Sequence, residues 1–302
     1  MDFIGKRKYF LLCSLMVSII SIIVIFFPGV NLGVDFTSGT SITYEFRGSD
    51  PGLEKIRSAL GKSGHGDATI QQIGQGQYFI RTTDLGTDGK DIIDEEIQNI
   101  KNVDFITLDT TSVGKSVADD TVRNAFIAVL VASAFVMVYI MYAFRTVPQS
   151  YKYAISAIIA LTHDVLIVLG LFTIIGIVFG SEINAIFIVG ILTIIGYSVN
   201  DTIVIFDRVR ENVILSPNRS FRLNVNVSIN ESIVRSLATS VTTLTVILSM
   251  LFFGGNSLRD FLLVLLLGVI IGTYSSIFIA SQVLVLWESR GLLFWRKKVY
   301  EI

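Results

Sequence analysis

INAIFIVGILTIIGYSVNDTIVIF, residues 183–206, is the stretch on which the fold turns. As a helix it measures about 36 Å at 1.5 Å per residue, enough to cross a hydrocarbon core of about 30 Å. It also holds an aspartate, Asp201, six residues before Asp207, where the next charged segment begins. That places Asp201 roughly 9 Å inside the edge of the span. An aspartate stem is too short to carry its carboxyl to the surface over such a depth, as a lysine would.

Five further apolar stretches of similar length lie near 9–28, 123–144, 154–179, 233–253 and 261–287. With 52% apolar and only 16% charged residues, the chain has too little polar surface for a soluble particle. It reads as a six-helix membrane bundle. The net charge of −1 gives no overall attraction to nucleic acid. Cys13 is the single cysteine, which excludes an intrachain disulfide and a cysteine metal cluster. The first stretch follows Lys6, Arg7 and Lys8 as a signal peptide would, but it has the length of a full span and no small-x-small cleavage site before Gly29, so a retained anchor is expected.

The short connections carry a one-sided positive charge. Arg145 and Lys152 lie in one, Arg208, Arg210, Arg219, Arg222 and Arg235 in or beside another, and Arg290, Arg296, Lys297 and Lys298 at the end. The alternate loops hold only Glu182, or the pair Arg259 and Asp260. The positive-inside rule therefore puts both termini in the cytoplasm of a multi-pass inner-membrane protein. Three regions follow: 1–29 with the first span, an extracytoplasmic segment 30–121, and 122–302 with spans two to six.

Within 30–121, Thr40–Arg47 alternates as a strand and Asp50–Lys62 as a helix with Leu53, Ile56 and Leu60 on one face. Ala68–Ile73 and Gln77–Thr83 form a hairpin around Gly74 and Gly76, Lys90–Lys101 a second helix, and Val103–Leu108 a last strand. The order βαββαβ is the ferredoxin-like pattern, a small α+β sandwich that does not itself imply an activity. His65, in a Gly-rich turn without a second His or a Cys nearby, is expected to be solvated. Gly114-Lys115-Ser116 lacks the earlier glycine of a phosphate loop, since Asp109 stands there. No ATP site, metal or organic cofactor is expected, and no catalytic constellation. Energy would come from a partner or from a membrane gradient of protons, with sodium as the alternative ion.

Charged groups inside a span cost about 2.5–3.5 kcal/mol on insertion scales and mark function when they occur. Besides Asp201, flanked by Asn200 and Thr202, the third span holds His163 and Asp164 at similar depth. The fifth begins with Arg235 and carries Ser236, Thr239, Ser240 and Thr243, spaced by three and four as on one helix face. A proton relay through Asp201 is one reading, because burial disfavours the charged form and water access can alternate. Polar cross-links between helices are the other. Gly268 and Gly272 have the GxxxG spacing of close helix packing.

In Asn200-Asp201-Thr202-Ile203-Val204-Ile205-Phe206-Asp207-Arg208-Val209-Arg210-Glu211-Asn212 and in Gly33-Val34-Asp35-Phe36-Thr37-Ser38-Gly39 the chain resembles the SecF proteins of the SecD/SecF family, which more often have glycine at the position of Ser38. His163-Asp164 and Arg235-Ser236 also match. The resemblance implies pairing with SecD and association with the SecYEG channel, a YidC-type insertase and YajC. It further implies use of the proton motive force to act on an unfolded secretory polypeptide as it emerges. Asp201 is then the first candidate protonation site, with Asn200, Thr202, His163, Asp164 and Arg235 in support. The turn carrying Gly33, Asp35, Phe36, Thr37 and Gly39 would join the first span to a moving domain. Two other functions fit the same architecture: half of a proton-driven small-molecule or lipid exporter, and a passive translocon-stabilising subunit.

Overall fold

The computed structural model describes residues 1–290 except 49, 87–88, 101–102, 148 and 256–257. Arg296, Lys297, Lys298 and the expected helix end at Lys101 lie outside the described residues. Two compact units emerge. One joins Met1–Val30, Ile127–Ile174 and the chain from Ile186 onward, and the other joins Asn31–Phe126 with Ile175–Ala185.

The second unit is built on a four-stranded antiparallel sheet in the order β2-β3-β1-β4, from β1 (Gly39–Gly48), β2 (Thr69–Gly74), β3 (Gln77–Thr82) and β4 (Val103–Val113). Before it lies α2, a single turn over Val34–Thr37, and within it lie α3 (Leu53–Lys62) and α4 (Gly89–Gln98). α1 is the span Arg7–Phe26. Every second residue of β1 turns inward, and Ile42, Tyr44 and Phe46 pack with Tyr78 and Ile80 of β3 against Ile56, Ala59 and Leu60 of α3 and Ile93 and Ile97 of α4. β4 runs five residues past the expected Leu108 because β1 pairs with it along its whole length, from Gly48↔Val103 to Gly39↔Val113. His65 is not free in solvent: it is half-buried, with Nδ1 3.2 Å from Thr82 Oγ1.

Among the described residues, six helices are long and apolar enough to span a membrane. After α1 come α5 (Lys115–Ala143), α6 (Tyr151–Phe179), α7 (Ala185–Leu215), α8 (Phe221–Phe253) and α9 (Arg259–Ser275), the last running through one turn of π-helix, Ser276–Ala280, into α10 (Ser281–Arg290). α7 and α8 outrun their apolar stretches, since a run of charge ends hydrophobicity without ending a helix. The extensions are stitched by Arg208 to Glu231 (2.7 Å) and to Glu211, by Arg210 to Asp207, and by Asn212 to Ser228. Gly114 only precedes α5, whose Ala118 N–H reaches its carbonyl.

α9 lies close against α7 because glycine lines the contact. A Cβ on Gly268 would stand 2.1 Å from Ile194 Cδ1, and one on Gly272 2.9 Å from Ser198 Cβ. The GxxxG spacing thus does the packing expected of it.

Candidate functional site

Ser198, Asp201 and Thr202 stand three and four residues apart on α7 and so share one face. All three are buried, Asp201 to 3% exposure. On α6, Asp164 is buried further, to 1%.

Asp164 is the better partnered of the two carboxyls. Its Oδ2 accepts from Ser198 Oγ at 2.6 Å and from Ser275 Oγ of α9 at 2.7 Å, and its Oδ1 lies 3.0 Å from His163 Nδ1. The other ring nitrogen of His163 is 2.5 Å from Ser14 Oγ on α1. Asp201 has a looser environment: Oδ2 accepts from Thr273 Oγ1 at 3.4 Å, and Thr273 is tied at 2.6 Å to Ser240 of α8, which Tyr197 also contacts at 3.3 Å. Thr202 Oγ1 lies 2.8 Å from Ser276 Oγ, and each is 3.2 Å from the Ser198 carbonyl oxygen. Five helices of one unit thus contribute carboxyl, imidazole and hydroxyl groups to two hydrogen-bonded sets, one on Asp164 and one on Asp201.

The π turn matters locally. It opens the backbone just after Ser275, and the Ser281 hydroxyl, five residues on, donates to the Ser276 carbonyl at 3.1 Å. Consecutive serines are thereby divided, Ser275 to Asp164 and Ser276 to Thr202 and the α7 backbone.

Of the residues expected to form the relay, His163, Asp164, Asp201 and Thr202 are brought together. Asn200 and Arg235 are not: both lie on exposed faces, and their side chains have no hydrogen-bond or ion-pair partner among the described residues. The reason is rotational, since each residue turns a helix by about 100° and Asn200 points away from where Asp201 points. The hydroxyl stripe of α8 divides similarly, Ser236 and Ser240 buried but Thr239 exposed and Thr243 half-buried. Ser14, Ser198, Thr273, Ser275 and Ser276 were not foreseen, although continuing the period of four from Gly268 and Gly272 reaches Ser276. Among the described residues no group of three or more His, Cys, Asp or Glu side chains could hold a metal.

The expected coupling turn is also well defined. α2 is closed by Thr37 Oγ1 donating to the Gly33 carbonyl at 3.0 Å, and Asp35 accepts from the Ala185 N–H at 2.8 Å. Ser38 follows at φ 64°, ψ 165°, a conformation nearly confined to glycine, in keeping with the glycine more often found there in the family it resembles. Gly39, at φ 122°, has no room for a side chain: a Cβ would lie 2.4 Å from the Thr82 carbonyl oxygen.

Fold and site together define a multi-pass membrane protein of six spans with a buried acidic centre and an inserted sheet domain. Residues 92–290 match the family model of the protein export membrane protein SecD/SecF, C-terminal, and residues 23–49 that of the SecD/SecF GG motif. The protein translocase subunits SecF of Thermobaculum terrenum and Anaerolinea thermophila are 38% and 35% identical, over 97% and 99% of this chain and 95% and 97% of theirs. A crystal structure of SecDF from Thermus thermophilus, a translocon-associated membrane protein, superposes with a TM-score of 0.85 at 33% identity; the match covers 96% of this chain and 39% of that one. The chain belongs to the SecD/SecF protein-export family. Its relatives are translocase subunits, a transport role rather than a catalytic one.

Proposed function

We propose that this chain pairs with a SecD partner and uses the proton motive force to promote late steps of protein translocation across the cytoplasmic membrane. The observation that carries this reading is the pair of buried carboxyls, Asp164 and Asp201, each receiving hydroxyl hydrogen bonds inside a membrane-spanning bundle. Buried ionisable groups at such depth are expensive and are retained where ions pass. Asp201 is the group proposed to take and release the proton, for its hydrogen bond from Thr273 is long, at 3.4 Å, whereas Asp164 is fastened by three of 2.6 to 3.0 Å. Its two charge states favour different packings of α7, α8 and α9, which is how a bound proton becomes a movement. One proton falling through 100 mV releases about 2.3 kcal/mol, a bias of up to about fifty-fold between two arrangements.

Asn200 and Arg235, exposed on this chain, are proposed to complete the path against SecD. The positive-inside bias favours cytoplasmic termini and an extracytoplasmic sheet domain at 30–121. The strand order β2-β3-β1-β4 with its two helices supports reading that domain as ferredoxin-like. SecYEG, a YidC-type insertase, YajC and the emerging polypeptide are the proposed associates. The coupling ion is proposed to be the proton rather than sodium.

The test is Asp201→Asn, which keeps shape and removes titration. With SecD at its normal level, export of a slow precursor should lose its dependence on the gradient while the variant stays at wild-type abundance in the membrane. Export that remains as gradient-dependent as before would leave the passive, stabilising role.

A further inference from the structure

The two carboxyl-bearing helices, α6 and α7, are joined by a short connection, 180–184, and this segment with the end of α6 and the first residue of α7, 175–185 in all, belongs to the sheet unit. Several bonds, all within that unit, hold it there. Gly33 N–H donates to the Ile183 carbonyl and Ile183 N–H to the Asn31 carbonyl, each at 2.8 Å, a short parallel bridge flanking Leu32. Arg81, on the inner strand β3, forks its guanidinium between the Leu32 carbonyl at 2.5 Å and Glu182 Oε1 at 3.0 Å. Gln71 of β2 donates to the Phe179 carbonyl, and glycine at 180 makes room, since a Cβ there would overlap the Gln71 amide. Gly33 is itself hemmed in, with Ile183 O, Glu182 Oε2 and Asn184 Cβ all 3.3 Å from where a Cβ would sit.

At the centre is Asp35. Its carboxylate accepts the N–H of Ala185, the first residue of α7, so a side chain of the sheet unit satisfies one of the four open donors at that helix end and sets a negative charge against the positive end of the helix dipole. It cannot swing freely, because α2 fixes its backbone through Thr37 and the Gly33 carbonyl. Asp201 lies sixteen residues further along the same unbroken helix, about 24 Å at 1.5 Å per residue.

We infer that Asp35 is a positioning residue, the cap by which the sheet domain grips the helix carrying Asp201, and that the 175–185 segment with its Arg81–Glu182 pair is the transmission between proton and polypeptide. Displacement of α7 pulls on the sheet through Asp35 and Arg81, and a load on the sheet returns to α7 by the same route. This deepens the proposed function and rests on it.

A hydrogen-bond acceptor, not a titrating group, is what such a cap requires, and asparagine caps helices as well as aspartate does. The experiment uses the full chain with its SecD partner in proteoliposomes under an imposed proton gradient. The probe is a reduced, unfolded secretory precursor, and the readouts are the ratio of proton flux with and without precursor and the amide exchange of residues 185–189. Asp35→Ala should raise exchange of that first turn about five-fold, the factor one lost cap carries, and bring the flux ratio to one. Asp35→Asn should restore both. The inference is overturned if Asp35→Ala matches wild type in both readouts, or if Asp35→Asn is as defective as Asp35→Ala. Wild-type complex with no gradient-driven flux would remove the proposed function instead; exchange then decides the cap alone, and an unchanged rate in Asp35→Ala overturns it.

Discussion

Gly272 offers the sharpest test of how the acidic centre is held. A Cβ added there would lie 2.9 Å from Ser198 Cβ, 3.2 Å from Ser198 Oγ and 3.3 Å from Ser198 Cα, so part of the obstacle is backbone that cannot rotate away. Carbon atoms settle at about 3.5–4.0 Å, so α9 and α7 must part by roughly 0.6 Å. Such overpacking costs about 1–3 kcal/mol. The same parting strains the convergence on Asp164 Oδ2, where Ser198 of α7 and Ser275 of α9 donate at 2.6 and 2.7 Å; a 0.6 Å separation leaves room for only one good bond, a further loss of about 1–3 kcal/mol. Gly272→Ala should therefore destabilise by about 2–6 kcal/mol and lower the melting midpoint of detergent-solubilised protein by roughly 5–12 °C. Gly272→Val should do more. Gly196→Ala is the control, since a Cβ on that α7 glycine meets nothing within 4 Å. If Gly272→Ala melts with Gly196→Ala, the close approach of α7 and α9 is not what organises the site.

Three other substitutions bear on the sheet domain and the helix extensions. Ser38→Gly, at φ 64°, ψ 165°, should relieve strain of about 1–3 kcal/mol and raise the melting midpoint, an unchanged midpoint counting against the strain. Burial, then the hydrogen bond to Asp50, pushes the Tyr78 hydroxyl up to about 12, and burial with Asp94 raises Tyr44 further. Since its folded value exceeds the unfolded one of about 10, Tyr78 contributes fully below pH 10 and loses its contribution as pH climbs through 12; Tyr78→Phe should flatten that alkaline decline, and an identical decline would refute it. Arg208→Ala removes pairs to Glu231 and Glu211 that are exposed to solvent, so the melting midpoint should barely move, and a clear drop would show the pairs to be stronger than surface pairs are.

What the chain announces in its letters, and what it conceals, follows from chemistry. Six spans and the strand–helix order of the sheet domain were legible because long apolar runs and alternation have few other uses. His163, Asp164 and Asp201 stood out because charge in an apolar run is rare. Ser275, Ser276 and Thr273 did not, for small hydroxyls are common packing residues and nothing local distinguishes those that reach a carboxyl. Asn200, next to Asp201 in sequence, turns about 100° away on the helix, so adjacency alone does not bring it into the buried set. The helix extensions past Phe206 and before Ile233 were missed because hydropathy marks where lipid should end, not where backbone hydrogen bonding ends. The hold of Arg81 on Glu182 and Leu32 joins residues far apart in the chain, and no periodicity records it.

The wide turn at Ser276–Ala280 sets the register of everything after it. One surplus residue in a helical turn rotates the rest of the rod by roughly 100° and lets it continue. Deleting a single residue between 276 and 280 would return the segment to ordinary winding and swing Gln282, whose amide now reaches the Phe3 carbonyl, to another side of the rod. This rod tolerates exchanges of letter better than changes in count: a one-residue indel here would redirect a whole helical face while leaving its hydropathy almost untouched.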